Sequence, residues 1–264
     1  MKVIIVCGGK GTRLREETEL KPKPMVEVAG LPILVHIMRI YSHYGHNDFI
    51  LCLGYKAHII KDYFLNLQKY TNDFSVDLAT GEITYLNSLL NFTFKITFVE
   101  TGDDTPSGQR VKIAVTKYVK DDEFLLTYGD GVSDIDVNES IRFHHKQSKK
   151  YGSLITISGV HPSSKYGKVH VNKKSIIKRF DEKPKLDDYI NGGFMVVSRK
   201  VIKDVNSDDM IEDVLVKLTK KSLLSRYKHD GFWHSMDTLK DVIDLNKLWA
   251  ESRPWAVWEK KRKP

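Results

Sequence analysis

The run Val3-Ile4-Ile5-Val6 passes directly into Cys7-Gly8-Gly9-Lys10-Gly11-Thr12-Arg13-Leu14, and no other stretch restricts the fold as strongly. Consecutive β-branched residues favour a strand. Because no polar residue alternates with them, both faces of that strand belong in apolar surroundings, as in a parallel sheet covered on both sides. The glycines that follow allow backbone N–H groups close to an anion, and Arg13 can neutralise charge the backbone leaves uncompensated. The segment therefore reads as a phosphate cradle. It is not a Walker loop, which needs Gly-x-x-x-x-Gly-Lys-Ser/Thr, and it lacks the dinucleotide fingerprint Gly-x-Gly-x-x-Gly. Taken alone, it is equally an ordinary glycine-rich strand-to-helix turn.

The same rhythm continues along the chain. Strand-like runs at 3–7, 49–53, 96–100 and 124–128 alternate with helical patterns at 33–44, 57–68, 112–119 and 141–148. This predicts βαβ units in an α/β fold: an open, doubly wound, mostly parallel sheet of Rossmann-like type, with ligands at the carboxyl ends of its strands. From residue 151 the pieces are shorter and β-rich, at 153–158, 168–171, 175–180 and 193–197, before a helical 211–218. They predict an extension of the same sheet. No Gly/Ser/Pro-rich linker intervenes, so 1–264 is expected to be one domain with halves 1–150 and 151–264, the second ending in a helix. Residues 70–91 are irregular and polar enough to be a mobile excursion or an oligomer contact.

Composition excludes several classes. With 264 residues, 41% of them hydrophobic, the chain can stabilise a core without disulfides or a structural metal. Cys7 and Cys52 both lie in apolar runs and make no disulfide framework, which suits a reducing cytoplasm. No signal-peptide pattern opens the sequence, and no apolar run approaches the ~18–20 residues of a membrane span, so a soluble protein without a membrane partner is expected. A net charge of +8 raises the question of nucleic acid. The lysines, however, are dispersed, no nucleic-acid motif accompanies them, and the basic end of the chain reads as a solvated, frayed terminus. Small phosphorylated substrates remain compatible with the charge.

Three further features carry chemistry. In Lys21-Pro22-Lys23-Pro24-Met25 the prolines fix φ around lysines, and a stiffened ammonium can meet a phosphate with little entropy lost; the bland alternative is a proline-rich loop with solvated lysines. Asp130 follows the strand at 124–128 and stands between Gly129 and Gly131, a placement that exposes a carboxylate. Asp237 lies in a distant Gly/aromatic segment, Gly231-Phe232-Trp233-His234-Ser235-Met236-Asp237. Mg²⁺ typically takes one or two carboxylates plus phosphate and water oxygens, so the two could share an ion. Either could instead be a turn former or helix N-cap, Asp237 especially, before Thr238-Leu239. The adjacent pair His144-His145 reads as a solvated helix face.

The glycine segment followed by Lys21-Pro22-Lys23-Pro24-Met25 resembles the signature of the sugar-1-phosphate nucleotidylyltransferases. The likeness extends through Tyr128-Gly129-Asp130-Gly131-Val132, Asp181-Glu182-Lys183-Pro184-Lys185, Ile190-Asn191-Gly192-Gly193-Phe194 and Met236-Asp237-Thr238-Leu239. Thr101-Gly102-Asp103, Gly108-Gln109-Arg110 and the Met236–Leu239 stretch point to members that join CTP to glucose 1-phosphate, the entry to CDP-dideoxyhexoses. The resemblance implies a nucleotide site at Val6, Cys7, Gly8, Gly9, Lys10, Gly11, Thr12, Arg13, Lys23, Thr105, Arg110 and Gly129. It implies Mg²⁺ on Asp130 and Asp237, with Arg13, Lys23 and Lys183 catalytic. A sugar-phosphate site would be formed by Gly167, Glu182, Lys183, Asn191 and Gly192, in a β-rich sugar-binding extension. A homo-oligomer is also implied. Without the likeness, Asn191-Gly192 and Gly167 would be hairpin turns and Arg110 a surface helix arginine. Cys7 stands where the family usually has alanine, and Lys165 where an arginine is common. The same chemistry with UTP, dTTP or another sugar phosphate, a silent sugar-nucleotide sensor, and a basic nucleic-acid binder are the alternative readings.

Overall fold

A computed structural model describes residues 1–87, 93–164 and 166–259. The readings of Lys165, of the end of the 70–91 segment and of the basic tail from 260 fall outside these residues.

An eight-stranded mixed sheet runs through the molecule. Its strands are β1 (Val3–Val6), β2 (Asp48–Leu53), β3 (Lys95–Glu100), β4 (Glu123–Tyr128), β5 (Ile155–Val160), β6 (Ile190–Asn191), β7 (Met195–Ser198) and β8 (Leu224–His229). The order is β6-β5-β7-β4-β1-β2-β3, with β8 parallel along the other side of β5. Strand β1 sits centrally, Val3 aligned in parallel with both Phe49 of β2 and Leu125 of β4. The sheet turns antiparallel at β7, against β4 and β5, and again where β6 pairs with β5.

The period-2 alternation of strand side chains, with both faces covered, explains why the central strands β1 and β2 are apolar almost throughout. Val3, Ile5, Phe49, Leu51, Leu125 and Val196 enter one core. There they meet helices α1 (Ile33–His43), α2 (Ala57–Thr71), α4 (Val137–Tyr151) and α6 (Leu239–Glu251). Ile4, Ile50, Cys52, Phe124, Leu126 and Met195 enter the other, against α3 (Ser107–Tyr118) and α5 (Ile211–Lys220). Ile4 is fully buried; its truncation to alanine removes packing worth about 2–5 kcal/mol.

Helix α4 is closed at both ends, with Asp136 accepting from the Glu139 N–H at 2.8 Å and Gly152 ending it in the left-handed region at φ 72°. His144 corrects the solvated-face reading of the histidine pair. It is fully buried and its Nδ1 shares a hydrogen bond with Thr156 Oγ1 at 2.8 Å, while His145 is exposed and reaches Glu123.

Two expected sheet strands are not in the sheet. Lys168–Val171 and Ile177–Asp181 pair only with each other, as a separate hairpin, and 70–91 contains a second, Phe74–Val76 with Ile83–Tyr85. The expected runs at 153–158 and 193–197 do extend the sheet, as β5 and β7, and β8, polar in sequence, extends it further.

Candidate active site

A third small ladder builds the centre. Gly131–Ser133, just after β4, pairs antiparallel with Trp233–Ser235, and the Met236 N–H donates to the Asp130 carbonyl at 2.8 Å. Gly131 aligns with Ser235, so Asp130 and Asp237 lie at the same end of this antiparallel pairing and face the same space. Asp237 is not the cap of α6: Thr238 is, its hydroxyl accepting from Asp241 N–H while the Asp241 carboxylate accepts from Thr238 N–H. The Asp237 carboxylate is left for other work.

That work is seen at Lys23. Its ammonium donates to Asp130 Oδ2 at 2.6 Å and to Asp237 Oδ1 at 2.8 Å. Burial disfavours the charge on Lys23, but the two carboxylates outweigh it and hold the pKa above its ordinary value. Asp237 shifts the other way: burial would raise it, yet the hydrogen bond and charge of Lys23, with Ser235 and Arg13, keep it below the usual range. Arg13 stands 3.8 Å from Asp237 and is itself 80% exposed.

These groups open into a cleft of about 400 Å³ at the carboxyl ends of β1 and β4. Of the anticipated nucleotide residues, Val6, Cys7, Gly9, Thr12 and Gly129 line it together with Arg13, Lys23, Asp130 and Asp237, and so does Gly11, at φ 63°. A larger depression of about 580 Å³ lies around Met1, Lys2, Asp48 and Lys95, at the amino ends of the strands, where an open α/β sheet does not bind its ligands.

Four anticipated residues stand behind or beside the cleft. Arg110 is only 3% exposed. Its guanidinium donates to the carbonyls of Gly8, Leu53, Gly102 and Asp103 and to Thr101 Oγ1, at 2.6–3.2 Å. It ties three loops together beneath the cradle. A Cβ at Gly8 would lie 2.2 Å from Arg110 Nη1, so glycine at this position makes room for arginine. Lys10 turns outward to Asp104 at 2.8 Å, and Thr105 donates to the Thr101 carbonyl. Sequence reading missed Gly54, where a Cβ would lie 2.4 Å from Arg110 Nη1; the apolar run 49–53 ending in glycine, like the β1 segment, was the available signal.

Of the residues expected to meet a sugar, Asn191 donates from Nδ2 to the Tyr128 hydroxyl at 3.3 Å, and Tyr128, which lines the cleft, donates to Glu212 at 2.7 Å. Gly192 offers its carbonyl to Trp233 Nε1 at 2.9 Å. Tyr128 and Trp233 lie in the Tyr128–Val132 and Gly231–Asp237 segments, whose pattern alone assigns neither a role. Glu182 and Lys183 pair with each other at 3.8 Å, both substantially exposed, and neither lines the cleft. Lys183 occupies the left-handed region at φ 47° immediately before Pro184, a strained backbone of the kind that collects at functional loops. Gly167 sits under the Phe180 ring of the hairpin.

Among the described residues no group of three or more His, Cys, Asp or Glu side chains gathers to hold a metal. The Asp130–Asp237 pair nonetheless fits a hard divalent ion completed by phosphate and water oxygens: the Lys23 ammonium already stands between the two carboxylates as a cation would.

With this arrangement in view, comparison with known proteins is decisive. Residues 2–252 match the model of the family described as nucleotidyl transferase. The chain belongs to the nucleotidyl transferase family. It is 42% identical to the glucose-1-phosphate cytidylyltransferase of Salmonella typhimurium (strain LT2), over 98% of this chain and 100% of that one. It is 44% identical, with the same coverage, to the probable glucose-1-phosphate cytidylyltransferase of Bacillus subtilis (strain 168). Among solved structures, HddC from Yersinia pseudotuberculosis complexed with GMP-PN superposes with TM-score 0.66 at 23% identity, covering 94% of this chain and 99% of that one. The inositol-1-phosphate CTP transferase from T. maritima does so with TM-score 0.62 at 18% identity, covering 95% and 96%. These two share the α/β nucleotidyltransferase fold.

Proposed function

We propose that this nucleotidyl transferase moves a cytidylyl group from CTP to α-D-glucose 1-phosphate, releasing pyrophosphate and forming CDP-glucose. The observation that carries the reading is the convergence of Asp130 and Asp237 on one cation beside a glycine-lined cleft. The 42–44% identity to cytidylyltransferases over almost the whole chain supports the choice of base and sugar.

In this reaction a phosphate oxygen of glucose 1-phosphate attacks the α-phosphorus of CTP in line. A new P–O bond forms, the bond from the α-phosphorus to the bridging oxygen breaks, and that oxygen leaves with pyrophosphate. The nucleophile is already anionic, so no general base is required, and positioning with charge neutralisation carries the acceleration. Arg13 and Lys23 face the triphosphate from the cleft wall. Lys183 orients the sugar phosphate, while Glu182, Asn191, Gly192 and Gly167 receive the sugar. Arg110 and Thr105 set the loop on which the cytosine rests. Asp130 and Asp237 would hold Mg²⁺, which when bound would supply electrostatic stabilisation of the charge on the transferring phosphoryl group.

Residues 1–264 form one domain in this reading, a nucleotide half 1–150 and a sugar half 151–264, and the sheet common to both supports it. The protein assembles with copies of itself. Phe74, Val76, Ile83 and Tyr85 leave one face of an isolated hairpin apolar and exposed, and a two-stranded hairpin needs such a face covered to be stable. Free buried Cys7 and Cys52 suit the cytoplasm, where CTP is available, and among the described residues no helix is long and apolar enough to cross a membrane.

Pyrophosphate release from each common nucleoside triphosphate with glucose 1-phosphate and Mg²⁺ tests the assignment. CTP is expected to be the preferred donor, with CDP-glucose as product. Faster release from UTP or dTTP overturns the base, and no release with any pair overturns the activity.

A further inference from the structure

Lys23 stands where a divalent ion would. Its Nζ is 2.6 Å from Asp130 and 2.8 Å from Asp237, its side chain is only 13% exposed, and Arg13, the nearest other cation, is 3.8 Å from Asp237. Mg²⁺ binds carboxylate oxygens at about 2.0–2.1 Å with near-octahedral demands. An ammonium and such an ion compete for the gap between these two carboxylates: both are cations, and the ammonium already takes one oxygen of each.

The backbone around Lys23 does not move easily. It forms the 3₁₀ turn Lys23–Met25, held by Met25 N–H to the Pro22 carbonyl at 2.8 Å and Val26 N–H to the Lys23 carbonyl at 3.1 Å, with Pro24 and Met25 buried. Pro22 and Pro24 fix their own φ angles. What remains free is the four-carbon stem, which can swing the ammonium from the carboxylates into the adjoining cleft without disturbing the fold.

We propose that Lys23 has two working positions: in the empty enzyme its ammonium is the counter-ion that holds Asp130 and Asp237 ready, and it leaves that place to a divalent ion and moves onto the triphosphate. The inference rests on the assignment of Asp130 and Asp237 as the metal pair. It gives Lys23 a second task besides neutralising phosphate. The empty site is protected from self-repulsion between carboxylates, and the ion and the nucleotide assist one another, because each favours the same displaced lysine. By linkage that help is reciprocal.

The test is Mn²⁺ binding to the nucleotide-free protein, followed by electron paramagnetic resonance, for wild type, Lys23→Met, Lys23→Arg and the double variant Lys23→Met/Asp130→Asn, each checked for folding by circular dichroism. Lys23→Met is expected to bind Mn²⁺ more tightly than wild type, on the order of tenfold, since the ion no longer competes with a resident cation. Lys23→Arg should bind no more tightly than wild type, and the double variant should lose the gain. Lys23→Met binding no more tightly than wild type overturns the two-position role and leaves the metal pair standing. A gain that persists in the double variant overturns the metal pair and the inference together. Should Lys23→Met not fold, a crystal of wild-type protein with Mn²⁺ decides: Nζ is expected beyond hydrogen-bonding reach of both carboxylates, and an undisturbed bridge beside bound metal refutes the proposal.

Discussion

Two glycines of this chain are equally crowded and differently constrained. A Cβ at Gly8 would stand 2.2 Å from Arg110 Nη1, and a Cβ at Gly167 would stand 2.2 Å from Phe180 Cζ. The neighbours differ. Arg110 is buried and donates to carbonyls of four residues and one hydroxyl, whereas Phe180 is 59% exposed at the end of a free side chain in an isolated hairpin. The comparison separates the cradle, where buried hydrogen bonds hold the crowding group in place, from an exposed hairpin on the side proposed to receive the sugar. Preorganised charge is what phosphoryl transfer needs, while a sugar can be gathered by groups that adjust.

The largest effects should come from breaking the rigid side at its charged centre. Asp130→Ala, or Lys23→Ala, is expected to lower turnover by about a hundredfold or more in a pyrophosphate-release assay, the usual loss when one preorganised electrostatic group is removed. Circular dichroism should stay native, because both side chains sit at the cleft rather than in either core. Near-wild-type turnover in both variants would remove the basis of the proposed mechanism.

The next effect is on stability. Gly8→Ala must push aside a guanidinium that has no slack, straining the loop and unpairing buried carbonyls, at a cost of about 2–4 kcal/mol. In a chain of this size, that is roughly 5–10 °C in Tm by calorimetry. If Arg110 is the cause, Gly8→Ala in an Arg110→Met background should cost less than in wild type, since the two residues share one contact. Additive losses would show that something other than the arginine crowds Gly8.

How much of this could be read from the sequence follows the same division. The β1 segment and the alternation of strands and helices were legible because they are local periodicities, and the two cores follow from them directly. The meeting of Asp130 with Asp237 is made by a three-residue ladder between distant segments, which no local pattern encodes; only the family resemblance supplied it. Arg110 was recognised, but not its inward direction, because its partners come from three loops. His144 was misread although its spacing from Val137 and Ser140, both buried, places it on the inner face of α4. The hairpin from Lys168 to Asp181 was expected in the sheet, since β-propensity tells that a segment is extended and not which edge it joins.

The exposed side should respond in affinity rather than stability. Lys183→Ala is expected to raise KM for glucose 1-phosphate roughly tenfold while KM for CTP and Tm stay close to wild type, the pattern of lost binding to one substrate. An equal rise in both KM values would place Lys183 on the nucleotide instead.

The smallest effect sharpens the comparison most. Gly167→Ala introduces the same nominal clash as Gly8→Ala, but its partner is the tip of an exposed ring that can rotate into solvent, and Gly167 does not have a positive φ that would strain an L-residue. The expected change in stability is within about 0.5 kcal/mol, as for ordinary surface substitutions. If the backbone at Gly167 comes close to the sugar, KM for glucose 1-phosphate should rise while Tm holds, separating a substrate role from a structural one. A Tm loss matching that of Gly8→Ala would mean that Phe180 is held as firmly as Arg110, and the division between a firmly held cradle and an adjustable hairpin would fall.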